Sequence, residues 1–431
     1  MNKIKTSDSL TIGFALFAMF FGAGNLIFPP FLGWESGKAW FAGFLCFIFI
    51  DIGMSLLAMI VISRNEKGAE GLTGRLGDKL SFVLLGLNCL CIGPFVAIPR
   101  TASITYEVGI VPNFGEVNSW LCTGIFFAIS FLLSVRQSKV VDIVGKFMAP
   151  VMFAALVALI VKGFVTPVGE IGPASELSGV VRSGLLSGYQ TMDMMAAYIF
   201  SVAILITIRQ KGYTEQKEQS GLILRGGIVA TALLFVVYGG LAYIGATASA
   251  SVTGEMAQSQ LLILLTDQLL GKPGLILLGV IVAFACLTTA IGLFTSIAAF
   301  FAEKLGVRYE VMVTVFTLVS WVISNFGTST IISMAAPVLD LIYPVLIVLV
   351  IFGLAGNRIQ SDATYRFAAF GAFAASVLLR LGTLLDTDVF ASVLPMSDMG
   401  FGWIIPTALC GAAGAVWAKR RAKTEELKEE L

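Results

Sequence analysis

The chain has no histidine among its 431 residues. That absence removes His-ligated metal sites, Ser-His-Asp and Cys-His nucleophile systems, and histidine proton relays. Charge is scarce as well: Asp, Glu, Lys and Arg make up 13% of the residues, against roughly 25% in soluble domains. The formal net charge of +1 offers nothing to a nucleic acid or an acidic partner. The six cysteines (Cys46, Cys89, Cys91, Cys122, Cys286, Cys410) lie in apolar runs and read as small packing residues, not as a disulfide framework. Long polar segments are missing too, so there is no room for a soluble domain. What is present is apolar: 57% of residues are hydrophobic and the mean hydropathy is +0.90. No soluble core absorbs that much apolar surface, and the chain reads as a polytopic helical membrane protein. No nucleophile and base stand together in the apolar segments, which argues against an intramembrane enzyme.

Apolar windows give about twelve spans, centred near residues 21, 51, 91, 127, 154, 197, 236, 286, 318, 343, 376 and 410. The first span is too long for a cleavable signal peptide, and no small-residue cleavage site follows it. With the N-terminus inside, the cytoplasmic face receives Lys3, Lys5 and the basic residues of the Arg64–Lys79, Arg136–Lys146, Arg209–Arg225, Lys304–Arg308 and Arg358–Arg366 segments. The tail from Lys419 falls on the same side. Of the 28 basic residues, only Lys38, Arg100, Lys162, Arg182, Lys272 and Arg380 fall on the outer side or within spans. By the positive-inside rule both termini are expected in the cytoplasm. The whole chain, 1–431, is expected to be one transmembrane domain, with no protein partner required and the lipid bilayer as its surroundings.

The first span carries Gly22-Ala23-Gly24-Asn25 at mid-depth, followed by Pro29-Pro30. Irregular backbone is tolerated there only where protein or a water-filled cavity surrounds it. Secondary transporters build substrate and ion sites from such interruptions in matched spans of two inverted repeats. A kink with glycines for close helix packing is the plainer reading. Five spans later the sixth, about 185–208, opens with Ser187-Gly188-Tyr189-Gln190-Thr191-Met192-Asp193, a second polar and glycine-containing interruption. Five spans per repeat invert the second copy, as this design requires. The two copies are expected at about 9–165 and about 185–354, with extra spans at about 366–419.

Ala285-Cys286-Leu287-Thr288-Thr289 places adjacent hydroxyls in span eight. They either bond back to their own helix or supply hard oxygen ligands to a small cation. Ionisable groups at depth are functional candidates. Asp193 follows the second interruption, where it could neutralise a substrate amine or hold the broken backbone. For Asp51, Asp340 and Arg380 a scaffold hydrogen bond or ion pair is the expectation. Arg100 and Glu107 bracket the outer end of span three, as a gate or a tether. Span three should be distorted at Gly93-Pro94 and Pro99. Asn88 reads as a helix–helix contact.

Phe20-Phe21-Gly22-Ala23-Gly24-Asn25-Leu26-Ile27-Phe28-Pro29-Pro30-Phe31-Leu32-Gly33 resembles the first span of the bacterial branched-chain amino acid:cation symporter family. Ile92-Gly93-Pro94, Ala97 to Ala102, Tyr106 to Gly109, Gly188 to Asp193, and Ala285 to Leu293 continue the likeness along nearly the whole chain. The resemblance implies a LeuT-type fold of five-plus-five inverted repeats with two extra helices. It implies import of leucine, isoleucine and valine across the bacterial cytoplasmic membrane, with sodium as coupling ion and no other cofactor. It also implies site residues. Substrate would contact Phe20, Ala23, Gly24, Asn25, Gly188, Tyr189, Gln190, Thr191 and Asp193, with the Ala23 and Gly24 N–H groups on its carboxylate. Sodium would take oxygens from Ala18, Phe21, Ala285, Thr288 and Thr289. The alternative is a proton-coupled carrier of another neutral amino acid or small solute, with Asp193 or Glu107 as proton carrier.

Overall fold

In the computed structural model, all regular structure among the described residues is helical. The structure describes residues 4–65, 67–135, 140–359 and 361–429. Lys3, Arg136 and Lys139, which enter the orientation argument, lie outside the described residues, as does the side chain of Lys146.

The first span is two helices, α1 (Thr6–Phe20) and α2 (Ala23–Ser36). The second joins α3 (Trp40–Ile48) to α4 (Met54–Ser63) through a π-helical turn at Phe49–Gly53 that carries Asp51. A short α5 (Gly68–Thr73) precedes the third, which runs through α6 (Asp78–Leu90), α7 (Ala97–Ile104) and α8 (Val111–Phe114). Span three is distorted as its prolines imply: Gly93 has non-helical φ −96° and ψ −121°, inside a π turn at Cys91–Phe95. α9 (Ser119–Val135) and α10 (Val140–Val165) follow. Next come α11 (Leu177–Thr191), α12 (Asp193–Gln210) and α13 (Gln216–Thr247). α14 (Gln258–Leu305) is bent at Gly271, whose φ of +60° is a left-handed conformation that suits glycine. α15 (Tyr309–Ser324), α16 (Thr328–Ala355), α17 (Asp362–Leu384), the short α18 (Val389–Val393) and α19 (Ile404–Glu429) complete the chain.

Among the described residues, seven helical stretches are long and apolar enough to cross a membrane, and four shorter apolar helices accompany them. The set is consistent with twelve spans. The exterior is apolar in the way a lipid-facing surface must be: Phe49, Leu132 and Phe370 are 59%, 63% and 68% exposed.

The two halves of span one share a rail, α13. A Cβ on Gly13 of α1 would strike Val229, and one on Gly226 of α13 would strike Ile12. Further along, a Cβ on Gly33 of α2 would overlap the Ala242 carbonyl, and one on Gly245 the Pro30 carbonyl. Small residues let backbones meet this closely where lipid provides no hydrophobic drive between helices. The break in span one is therefore held from the side along its whole length.

Candidate functional site

The break in span one is two residues long. Phe21 and Gly22 are extended (φ −79°, ψ 97° and φ −127°, ψ −168°) between α1 and α2. The helix restarts at Ala23, so the Ala23 and Gly24 N–H groups stand free at the positive end of α2. Asn25 caps this turn: its side-chain oxygen accepts from the Gly22 N–H at 3.2 Å. Pro29 and Pro30 lack the N–H groups that would bond the Asn25 and Leu26 carbonyls, so α2 is weakened again one turn later.

The break in span six is a single residue and lies later than the sequence suggests. Residues 187–191 are helical; only Met192 departs, at φ 65° and ψ 16°. Left-handed backbone costs a methionine roughly 1–2 kcal/mol. Such conformations persist where the surroundings over-determine them, and the surroundings here are bonded on both sides. Asn25 donates to Asp193 Oδ2 at 2.9 Å, which ties the restart of span one to the restart of span six. Arg100 of α7 donates from one terminal nitrogen to the Gln190 carbonyl at 2.6 Å, and its other terminal nitrogen lies 3.4 Å from the Thr191 carbonyl. It thereby caps the end of α11.

Between the breaks lies a cavity of about 30 Å³, room for a water or two. Phe20, Ala23, Gly24, Asn25, Thr191 and Asp193 of the expected substrate contacts line it. Gly188, Tyr189 and Gln190 do not, because their helix turns them elsewhere. A Cβ on Gly188 would meet Ile50 at 2.8 Å, Tyr189 stacks on Tyr343 with centroids 4.4 Å apart, and the Gln190 carbonyl serves Arg100. The lining also includes Ile92, Arg100, Phe200 and Leu293, which the sequence reading does not place there. Phe20 and Phe200 face each other edge-on at 6.5 Å.

A larger cavity of about 440 Å³ lies next to it, lined by Thr11, Ala18, Phe200, Thr207, Thr288, Thr289 and Ser296 among others. Met19, Phe200 and Thr289 line both spaces. Thr11 lies in the first half of α1 and Thr207 in the last turn of α12, so this vestibule lies toward the face that carries the N-terminus. On the opposite side the Thr328 N–H and the Ser259 hydroxyl both donate to the Glu107 carboxylate at 2.8 Å. Glu107 thus joins span three to the start of α16 and the outer arm of α14. It makes no ion pair with Arg100 among the described residues, so the two are not a paired gate.

Of the expected sodium ligands, Ala18, Thr288 and Thr289 meet at the vestibule. The Thr288 hydroxyl donates to the Ala285 carbonyl at 2.9 Å, the back-bond open to any threonine in a helix. The Thr289 hydroxyl is buried without a hydrogen-bond partner among the described residues, and it lies 3.4 Å from where a Gly22 Cβ would stand. Phe21 sits in the break with its ring stacked on Phe17 and Tyr238.

The other ionisable groups sort as follows. Asp51 is fully buried at the π turn of span two, with the side chains of Thr191 and Asp193 beside it. Asp340 lies near Arg380 and Arg182. Asn88 donates to the Met195 carbonyl at 3.1 Å, the helix–helix contact expected of it.

Two discontinuous helices bonded to each other around a small buried cavity are the arrangement from which secondary transporters build their sites, and solved structures share the fold. A nucleobase-cation-symport-1 family transporter in a closed conformation with bromovinylhydantoin bound matches with a TM-score of 0.64. The match covers 96% of this chain and 93% of that one, at 16% identity. A Na⁺-coupled sialic acid symporter in a substrate-bound outward-open state matches with a TM-score of 0.61, covering 94% and 90% at 13% identity. The fold is LeuT-type.

The profile of the branched-chain amino acid transport protein family matches residues 5–421, and the chain belongs to that family. It is 34% identical to the branched-chain amino acid permease BraB of Bacillus subtilis (strain 168), covering 96% of this chain and 95% of that one. It is also 34% identical to the branched-chain amino acid transport system 2 carrier protein of Pseudomonas aeruginosa, covering 99% of each. The permease BrnQ of Escherichia coli (strain K12) is 31% identical over 96% and 97%. These relatives are transporters and not enzymes, and this chain is a membrane-embedded transporter of a small-molecule amino acid substrate.

Proposed function

We propose that the chain imports leucine, isoleucine and valine by sodium symport across the bacterial cytoplasmic membrane, with both termini in the cytoplasm. Repeats at about 9–165 and 185–354 form the core, and the spans at about 366–419 lie outside it. The observation that carries this reading is the bond between the two breaks, Asn25 to Asp193, over a cavity with two separate characters. One wall is polar: the Ala23 and Gly24 amides, Arg100 and Asp193 suit a zwitterion. The other is apolar: Phe20, Ile92, Phe200 and Leu293 suit a branched aliphatic side chain. Sodium would bind where the unpartnered Thr289 hydroxyl faces the break, with Thr288 and the carbonyls of Ala18, Phe21 and Ala285. With both termini inside, the vestibule on the N-terminal face would lie on the cytoplasmic side of a nearly closed substrate cavity.

Leucine uptake into proteoliposomes under imposed sodium, lithium or proton gradients tests the coupling, and labelled-leucine counterflow separates a carrier from a channel. Isoleucine and valine should compete with leucine, since one methylene discriminates by only about 1–3 kcal/mol. Lysine and glutamate should not. Uptake driven by a proton gradient alone, or strong competition by a charged amino acid, would overturn the corresponding half of the reading.

A further inference from the structure

Among the described residues Arg100 is the one strongly basic group lining the cavity, and no carboxylate is paired with it directly. The side chain is 3% exposed. Its two terminal nitrogens face the Gln190 and Thr191 carbonyls, and its Nε is buried with no acceptor. It lies over the Phe28 ring at 5.6 Å. It forms no ion pair with a carboxylate among the described residues. Asp193, the acid that acts on it through space, already takes the Asn25 amide on Oδ2. The carbonyls that end α11 offset only part of a full charge, since a helix end carries about half of one. A buried cation without a counter-ion is expensive, and proteins keep such a group where it has work to do.

The position of Arg100 says what that work is. A Cβ on Gly24 would stand 2.9 Å from an Arg100 terminal nitrogen, so the guanidinium lies against the first turn of α2. The free Ala23 and Gly24 amides, the positive end of α2 and Arg100 therefore converge on one corner of the cavity. We propose that Arg100 binds the carboxylate of the substrate there, as its charged partner beside the α2 amides. Asp193 on the same cavity wall then faces the substrate amine, so the site reads both ends of a zwitterion. This inference rests on the proposed amino acid substrate. It adds a residue from span three to a site otherwise built from spans one and six. The geometry also explains Gly24: any side chain there would occupy the space of the guanidinium.

The test compares leucine with leucinamide, which has the same shape and amine but a neutral amide in place of the carboxylate. Sodium-dependent binding of labelled leucine to the purified full-length protein is competed with each. In the wild type leucinamide should compete at least about a hundredfold more weakly, because a site built for a charged group rejects the neutral analogue. In Arg100→Gln, leucine affinity should drop and the preference for leucine over leucinamide should shrink at least about tenfold. A purely structural cap on α11 would weaken both ligands alike and leave the preference unchanged, and that result would overturn the proposal. If Arg100→Gln does not fold, Arg100→Lys carries the same comparison. Lysine keeps the charge but lacks the planar fork that meets the α11 carbonyls and a carboxylate in one fixed geometry, so a severalfold fall in preference is expected and an unchanged preference overturns. Failure of the transport reading looks different: wild-type protein then binds neither compound, which withdraws the substrate and this role with it.

Discussion

Replacing Asn25 by alanine should do more damage than any other single truncation at the breaks. The side chain is 2% exposed and makes two bonds at once, accepting from the Gly22 N–H at 3.2 Å and donating to Asp193 at 2.9 Å. Alanine removes both partners and leaves a buried N–H and a buried carboxylate oxygen unsatisfied. Each orphan costs about 1–3 kcal/mol, and more for a charged group, so the sum is about 2–6 kcal/mol toward its upper half. At about 1.4 kcal/mol per tenfold, even the low end lowers the population of the bonded arrangement by more than an order of magnitude. Leucine uptake by Asn25→Ala in proteoliposomes, normalised to inserted protein, should fall at least about tenfold, with a lower unfolding temperature in detergent. Asn25→Asp divides the two contributions. It keeps an oxygen for the Gly22 N–H but sets acid against acid at Asp193, so it should be at least as defective as Asn25→Ala. Near-normal uptake and stability in Asn25→Ala, or clear rescue by Asn25→Asp, would show that the two breaks are not held together by this bond.

Further outcomes follow from the geometry of single residues. Thr289→Val should raise the sodium concentration for half-maximal uptake by about tenfold or more, the loss of about 1.4 kcal/mol. Thr288→Val should shift it less, because that hydroxyl is already bonded to Ala285; equal shifts, or none, would contradict the assignment. Gly24→Ala should raise the KM for leucine while leaving insertion intact, since its Cβ would press on Arg100 at 2.9 Å and Phe28 at 3.2 Å; an unchanged KM counts against that corner of the site. Gly245→Val should yield little folded protein by size-exclusion chromatography, because its Cβ overlaps the Pro30 carbonyl. Gly86→Ala, with nothing within 4 Å of its Cβ, should be neutral or slightly stabilising.

The helical membrane class and the break in span one were legible because composition and chain chemistry act locally there. A glycine pair and an asparagine inside an apolar run leave the backbone few alternatives. The break in span six was legible only in outline. Gly188 looks like its pivot, yet it is helical and its missing side chain makes room for Ile50. The residue that departs is Met192, which has no turn propensity of its own and is held by contacts from distant segments. Glycine in a membrane helix signals close approach as often as it signals bending. The three-span meeting of Asn25, Asp193 and Arg100 was not legible at all, because it joins residues about 75 to 168 positions apart. The signal available for Arg100 was its depth in span three, where a charge needs a reason. That signal could flag the residue but not place it against Gly24.

The two cavities bear on how coupling would work in this arrangement. The space between the breaks, about 30 Å³, is too small for a leucine, while the vestibule beside it holds about 440 Å³. Met19, Phe200 and Thr289 line both, so the partition between them contains a residue proposed to hold sodium. A ligand shifts a conformational equilibrium only by its difference in affinity between the two states. A sodium ion drawing Thr289 toward the break in span one would favour the state in which partition and break are assembled, the state in which the Ala23 and Gly24 amides face an enlarged cavity. Releasing that ion into the vestibule would remove the preference. Reciprocity then requires leucine to strengthen sodium binding by the same factor that sodium strengthens leucine binding. The Thr289→Val protein should therefore lose sodium affinity and, at fixed low sodium, leucine affinity with it, while Arg100→Gln should lose leucine affinity yet keep the sodium affinity of the leucine-free protein.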